Sequence, residues 1–170
     1  MPFLEDLYEA THENVQLAVR DAHDVVYIEH IAGRRAVGVR TQVGLRFPLH
    51  ATGVGLVLLA FADEALQEEV MNAPLAGFTP KTIQNPAVLR RKLADVRQQG
   101  FAVSDRQVTM DALSVAAPIR DAEDAVVAAV SLVVTANLPP SAILPAVFAA
   151  GRGISRVLRN DPRAPRHVMA

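Results

Sequence analysis

Gly53 and Gly55 stand one residue apart in "RFPLHATGVGLVLLAFA" (46–62), where a Pro-containing loop meets an unbroken apolar stretch. Two glycines at the start of a helix admit three roles: a phosphate cradle, a small-anion site or close packing. The first N–H groups of a helix lack internal partners and carry partial positive charge. Glycine lets a small anion approach them, and a carboxylate is a natural guest. The segment is not a dinucleotide fingerprint, because position 58 is Leu and no alternating βαβ pattern surrounds it. Nor is it a P-loop, since no Gly-Lys-Ser/Thr follows. Physics alone leaves the packing role open and favours it.

Other chemistry-bearing types give less. With no Cys, the chain has no thiol nucleophile, disulfide or cysteine zinc site. His12, His23, His30, His50 and His167 show no H-E-x-x-H or similar ligand spacing, and no metal is expected. No G-x-S-x-G elbow occurs. Ser131 falls in mid-strand, a poor place for a nucleophile. His50 reads as a structural histidine whose ring satisfies nearby backbone. The sequence offers no catalytic centre and no cofactor motif, so a binding protein is expected rather than an enzyme.

Mixed α and β elements must position these residues. Apolar Phe3, Leu4, Leu7 and Tyr8 predict a helix over 3–11. Alternation predicts strands over 15–21 and 25–32, with a third over 36–41. Neighbours this close pair antiparallel, since a parallel crossover needs a dozen or more residues. Helices follow over 52–62, from Asp63-Glu64 to about Met71, and over 87–99 with Val88, Leu89, Leu93 and Val96 on one stripe. Gly100 stops the last of these. Its Arg90-Arg91-Lys92 run reads as a solvated face. "FAVSD" (101–105), "ALSVAAPIR" (112–120) and "AVVAAVSLVV" (125–134) are strands, the last two flanking a tight turn at "DAED". A turn centred between Ala122 and Glu123 sets Ser114 opposite Ser131 and Ala112 opposite Val133, all on one face. Hydroxyls in so apolar a hairpin need partners: each other, backbone, water or a ligand. A final helix covers 141–158, and the tail 161–170 is expected to be loose.

The whole suits one domain. The chain has 170 residues, a 51% hydrophobic fraction and a formal charge of −1, which advertises neither nucleic acid nor acidic lipid. Its longest apolar run is far short of the roughly 20 residues a membrane span needs. No signal peptide is visible, so a cytoplasmic location is expected.

A resemblance carries these readings further. "GLRFPLHATGVGLVLLAFA" resembles the G-x-R-x-P-L-H-A-T-x-x-G-K-x-L-L-A signature of IclR-family transcription regulators, within their C-terminal effector-binding domain. "GFAVSD…ALSVAAPIRDAEDAVVAAVSLVV" and "EDLYEATHENVQLAVRDAHDVVYIE" are similar to further stretches of that domain, in the same order. The resemblance implies an α+β, GAF-like fold: a curved antiparallel sheet flanked by helices, here residues 1–160. It implies a pocket between the sheet and the loop entering the helix at 52–62, with Gly53, Val54, Ser104, Ala112, Ser114, Ser131 and Val133 as ligand contacts. The implied ligand is a small carboxylic acid. Ser104, Asp111, Asp124, Leu56 and Val133 depart from the family pattern. Near the pocket they leave fewer polar groups, which points to an aromatic or otherwise apolar acid. The implied partners are further copies in a dimer or tetramer, and DNA only through a winged helix-turn-helix not present in this chain. A stand-alone GAF-like binding module or enzyme is the alternative.

Overall fold

The computed structural model describes residues 2–34, 37–38 and 41–163. Helix α1 (Pro2–Thr11) leads into the antiparallel hairpin β1 (Asn14–Asp21) and β2 (Asp24–Ile31). A short strand, β3 (Arg46–Pro48), pairs with β2 at the sheet edge. Three helices follow: α2 (Gly53–Ala60), α3 (Glu64–Asn72) and α4 (Pro86–Gln99). Strands β4 (Ala102–Asp105), β5 (Ala112–Arg120) and β6 (Val126–Thr135) complete a six-stranded sheet of order β3-β2-β1-β6-β5-β4. After a short 3-10 turn, α5 (Leu144–Asn160) closes the chain.

Three helix starts are capped by polar side chains. Thr52, Asp63 and Asn85 accept backbone N–H groups at the heads of α2, α3 and α4. Gly100 ends α4 with φ at 82°, a conformation that favours glycine. Apolar side chains split between the two sheet faces. Leu113, Val115, Val130 and Leu132 pack with α1 and α5, while Ala18, Val25, Ala116 and Ala129 pack with α2, α3 and α4. Helix α2 is buried on every side, as its unbroken apolar sequence requires.

Four expectations need correction. Of the strand expected over 36–41, residues 36, 39 and 40 lie outside the described residues, while Val37, Gly38 and Thr41 are not in strand. The third strand falls instead at Arg46–Pro48, where Pro48 is tolerated because the strand lies at an edge. Val88 is exposed, so only Leu89, Leu93 and Val96 form the buried stripe of α4. The final helix begins at Leu144 rather than 141, with residues 140–142 in the 3-10 turn. The β5–β6 register is displaced by two residues. Ser114 pairs with Val133, Ala116 with Ser131 and Ala112 with Thr135.

The turn explains that displacement. Asp121 accepts the Glu123 and Ala125 N–H groups through its Oδ1, and Asp124 takes a left-handed φ of 64°. Arg120 pairs with Val126, and an irregularity between Ile119 and Arg120 adds a further shift. A shift of two residues preserves the face, because side chains alternate with period two. Ser114, Ser131 and Val133 therefore still point the same way. Of the tail at 161–170, residues 164–170 lie outside the described residues.

Candidate functional site

The helix-covered face of the sheet changes character along its length. At one end Ala18, Ala116 and Ala129 seat α2 closely. At the other, Gln16, Ala112, Ser114, Ser131 and Val133 face a cavity of about 340 Å³. That volume lies in the usual range for small-ligand sites, roughly 300–1,000 Å³. The head of α2 forms one wall through Thr52, Gly53 and Val54. Gly38, Thr41 and Leu45 come from the segment after β2, and Gln107, Val108 and Thr109 from the β4–β5 connection. Tyr27 and Phe47 add aromatic surface. Among the described residues no charged side chain lines the cavity.

The two glycines have different surroundings. A Cβ on Gly55 would strike the backbone carbonyl of Leu49 and sit 2.7 Å from the Thr52 Oγ1. Gly55 thus permits close packing of the helix on the loop before it. A Cβ on Gly53 would instead meet the Ser114 Oγ at 2.6 Å, on the cavity side.

Hydrogen bonds at this helix head leave two donors for a guest. Gly53 N–H donates to the Ser114 Oγ at 3.2 Å, and Gly55 N–H to the Thr52 Oγ1 at 2.9 Å. Leu56 N–H donates to the Thr52 carbonyl at 2.9 Å. No acceptor takes the Val54 N–H among the described residues. The Ser114 hydroxyl, accepting from Gly53, keeps its own proton to donate. Both donors stand where the helix presents its positive end.

The remaining polar groups are held in place. Ser131, 1% exposed, donates to the Gln16 Oε1 at 3.3 Å, and the Gln16 Nε2 donates to the Thr41 Oγ1 at 2.8 Å. Ser104 donates to the Ala51 carbonyl at 2.7 Å, bracing the loop that enters α2. The Tyr27 hydroxyl is hydrogen-bonded to the Thr52 side chain, and burial pushes its pKa up to about 12. His50, 3% exposed, meets the Ala76 carbonyl at 2.7 Å through its Nε2, the backbone-satisfying role its sequence context suggested.

All seven sequence-nominated residues line this one cavity: Gly53, Val54, Ser104, Ala112, Ser114, Ser131 and Val133. Ser114 and Ser131 occupy different places along it, since they are not cross-strand partners. The sequence reading missed Gln16, Tyr27, Thr41 and Gln107. Gln16 had a signal, being polar between inward-packed Val15 and Leu17. Gln107 lies in a connection and had none. Phe61 and Phe101 do not line the cavity. Phe61 lies under the Arg120 guanidinium, and Phe101 packs on Phe148 on the opposite sheet face.

A curled antiparallel sheet, helices on both faces and a cavity at a helix head whose described lining is uncharged define a small-molecule-binding sensor domain. The chain belongs to the IclR family: the family described as bacterial transcriptional regulator IclR C-terminal matches residues 1–155. The HTH-type transcriptional regulator XynR of Escherichia coli (strain K12) is 36% identical over 135 residues, covering 76% of this chain and 52% of that protein. An IclR homologue from Microbacterium hydrocarbonoxydans, solved with 4-hydroxybenzoate, superposes with a TM-score of 0.91 at 32% identity, covering 94% of this chain and 66% of that one. A double-mutant PobR inducer-binding domain from Acinetobacter, solved with 3-hydroxybenzoic acid, gives 0.82 at 27% identity, covering 94% of each chain. The chain spans about half the length of the curated relatives it matches.

Proposed function

We propose that this effector-binding domain senses a small carboxylic acid of aromatic or comparable apolar character. The carrying observation is the Val54 N–H, which has no acceptor among the described residues, at the head of a buried helix beside a cavity whose described lining carries no charged side chain. In this reading the carboxylate accepts from the Val54 N–H and the Ser114 hydroxyl. Gly53 gives it room, Ser104 braces the loop, and Ala112, Val133 and Phe47 enclose the apolar body beside Ser131. The hydroxybenzoates bound by similar proteins are of this chemical class. A three-carbon keto acid would leave most of the cavity unfilled. The domain acts by binding and performs no chemistry of its own.

In the longer protein, the effector would alter DNA affinity by favouring one arrangement of a dimer or tetramer over another. DNA would be held by a winged helix-turn-helix elsewhere in that protein, in the cytoplasm. Among the described residues no helix is long and apolar enough to cross a membrane.

Saturation-transfer NMR with benzoate-class acids and pyruvate, paired with thermal shift, tests this. Benzoate-class acids should give the stronger transfer and raise the melting temperature. At a hundredfold excess over Kd the gain is about 2.7 kcal/mol. A preference for pyruvate would overturn the assignment.

A further inference from the structure

We propose that Gln107 reads a hydrogen-bonding substituent on the effector, so that the cavity selects hydroxylated aromatic acids over unsubstituted ones. This rests on the carboxylate reading above and adds a specificity residue to it.

Gln107 lines the cavity and is 7% exposed, yet its Oε1 is buried with no hydrogen-bond partner among the described residues. A buried polar atom left in that state is costly, and most such atoms in folded proteins are satisfied. Its position is fixed all the same. The Thr82 hydroxyl donates to the Gln107 carbonyl at 2.5 Å, and the Thr79 hydroxyl to the Arg106 carbonyl at 2.6 Å. Arg106 N–H donates to the Ala112 carbonyl at 3.0 Å. Arg106 itself has a φ of 56°, an uncommon conformation for a non-glycine residue, and redirects the chain just before Gln107. The backbone is pinned on both sides while the side-chain oxygen goes unused, which is the condition of a group waiting for a ligand.

Its place in the cavity sets what it can meet. Ser114, beside the head of α2, and Ala112 are two residues apart on β5. That separation is about 6.7 Å along a strand. The connection carrying Gln107 joins β5 beyond Ala112, away from Ser114 and the two donors there. A carboxylate held at the helix head leaves its ring to extend along the cavity that Gln107 also lines. An amide oxygen there accepts from a hydroxyl and rewards no unsubstituted ring. A site built to hydrogen-bond a hydroxyl discriminates far more strongly than an apolar wall does.

Calorimetric titration of the chain and of its Gln107→Met variant, with 4-hydroxybenzoate, 3-hydroxybenzoate, benzoate and 4-fluorobenzoate, tests this. The unmodified chain should bind one of the hydroxybenzoates at least about tenfold more tightly than benzoate or 4-fluorobenzoate. Gln107→Met should reduce that ratio to within about twofold. Because it removes an unpaired buried oxygen at similar length, the ligand-free variant should melt no lower than the original. A hydroxyl preference that survives in the variant, or that is absent from the unmodified chain while benzoate binds, overturns the role of Gln107. If none of the four acids binds either protein, the carboxylate reading fails and this proposal falls with it.

Discussion

A methyl group added at Gly53 meets the end of a rotatable serine side chain, whereas one added at Gly55 meets a backbone carbonyl. Serine can turn aside, but the Leu49 carbonyl cannot move without displacing the loop that enters α2. Gly55→Ala should therefore cost about 2–3 kcal/mol in urea denaturation, within the usual range for overpacking. Gly53→Ala should cost less, about 1–2 kcal/mol, because the Ser114 hydroxyl can turn aside at the loss of its bond to the Gly53 N–H, while the Ala116 Cβ lies 3.3 Å away. Its main effect should be weaker acid binding, since the added carbon crowds Ser114 at the cavity wall. Equal stability losses in the two variants would show that both glycines serve packing alone. Sequence placed the two residues alike at a helix start; only their neighbours distinguish them.

At the scale of elements, the β5–β6 hairpin carries four of the residues nominated for the site, Ala112, Ser114, Ser131 and Val133. Its register depends on Asp121, whose Oδ1 accepts two turn N–H groups while its backbone N–H donates to the Ala125 carbonyl. Asp121→Ala should cost about 1–2 kcal/mol, because two donors in a tight turn lose their acceptor. Chemical denaturation reads the loss, and an unchanged midpoint would mean that strand packing alone holds the register. The sheet face of each strand was legible from alternation, so Ser114, Ser131 and Val133 were brought to one side before any contact was known. The pairing was not legible. "DAED" suggests a tight turn, but Asp124 in a left-handed conformation and the irregularity at Ile119/Arg120 move the partner by two residues. The edge strand at Arg46–Pro48 was equally hidden. Its proline argues against a central strand, and its pairing with β2 draws on ion pairs from Arg46 to Asp21 and Asp24 that lie more than twenty positions away.

For the whole molecule, stability across pH reports on buried groups, of which Tyr27 and His30 are shifted in opposite directions. Tyr27, 4% exposed, has its pKa pushed up to about 12 by burial against the usual 10. The folded state therefore holds this proton more tightly than the unfolded chain does. Its contribution is fully present below pH 10 and is lost as pH rises toward 12, amounting to about 2–3 kcal/mol. His30 lies the other way, since burial lowers its pKa below 6.5. The unfolded chain takes up that proton first, so stability declines as pH falls below about 6.5. Denaturant midpoints measured from pH 5 to 12 should show both limbs. Tyr27→Phe should flatten the alkaline one and His30→Gln should reduce the acidic one. An alkaline limb that persists in Tyr27→Phe would locate its cause elsewhere.

Some properties of this protein were already determined by its amino-acid order. Apolar periodicity defines its helices and strands, capping residues define several helix ends, and the motif around Gly53 and Gly55 marks the head of a buried helix. These are local consequences of backbone sterics and side-chain alternation; the seven residues nominated through the family resemblance all line one cavity. Tertiary structure decided the rest: which glycine meets a serine hydroxyl and which a backbone carbonyl, which strand residue opposes Ser114, that Tyr27 and Gln16 line the cavity, and that Gln107 is buried there with an oxygen unpaired among the described residues. Those facts depend on contacts between residues distant in sequence. They arise only when the turn at 121–125 fixes the register and the sheet folds over the head of α2.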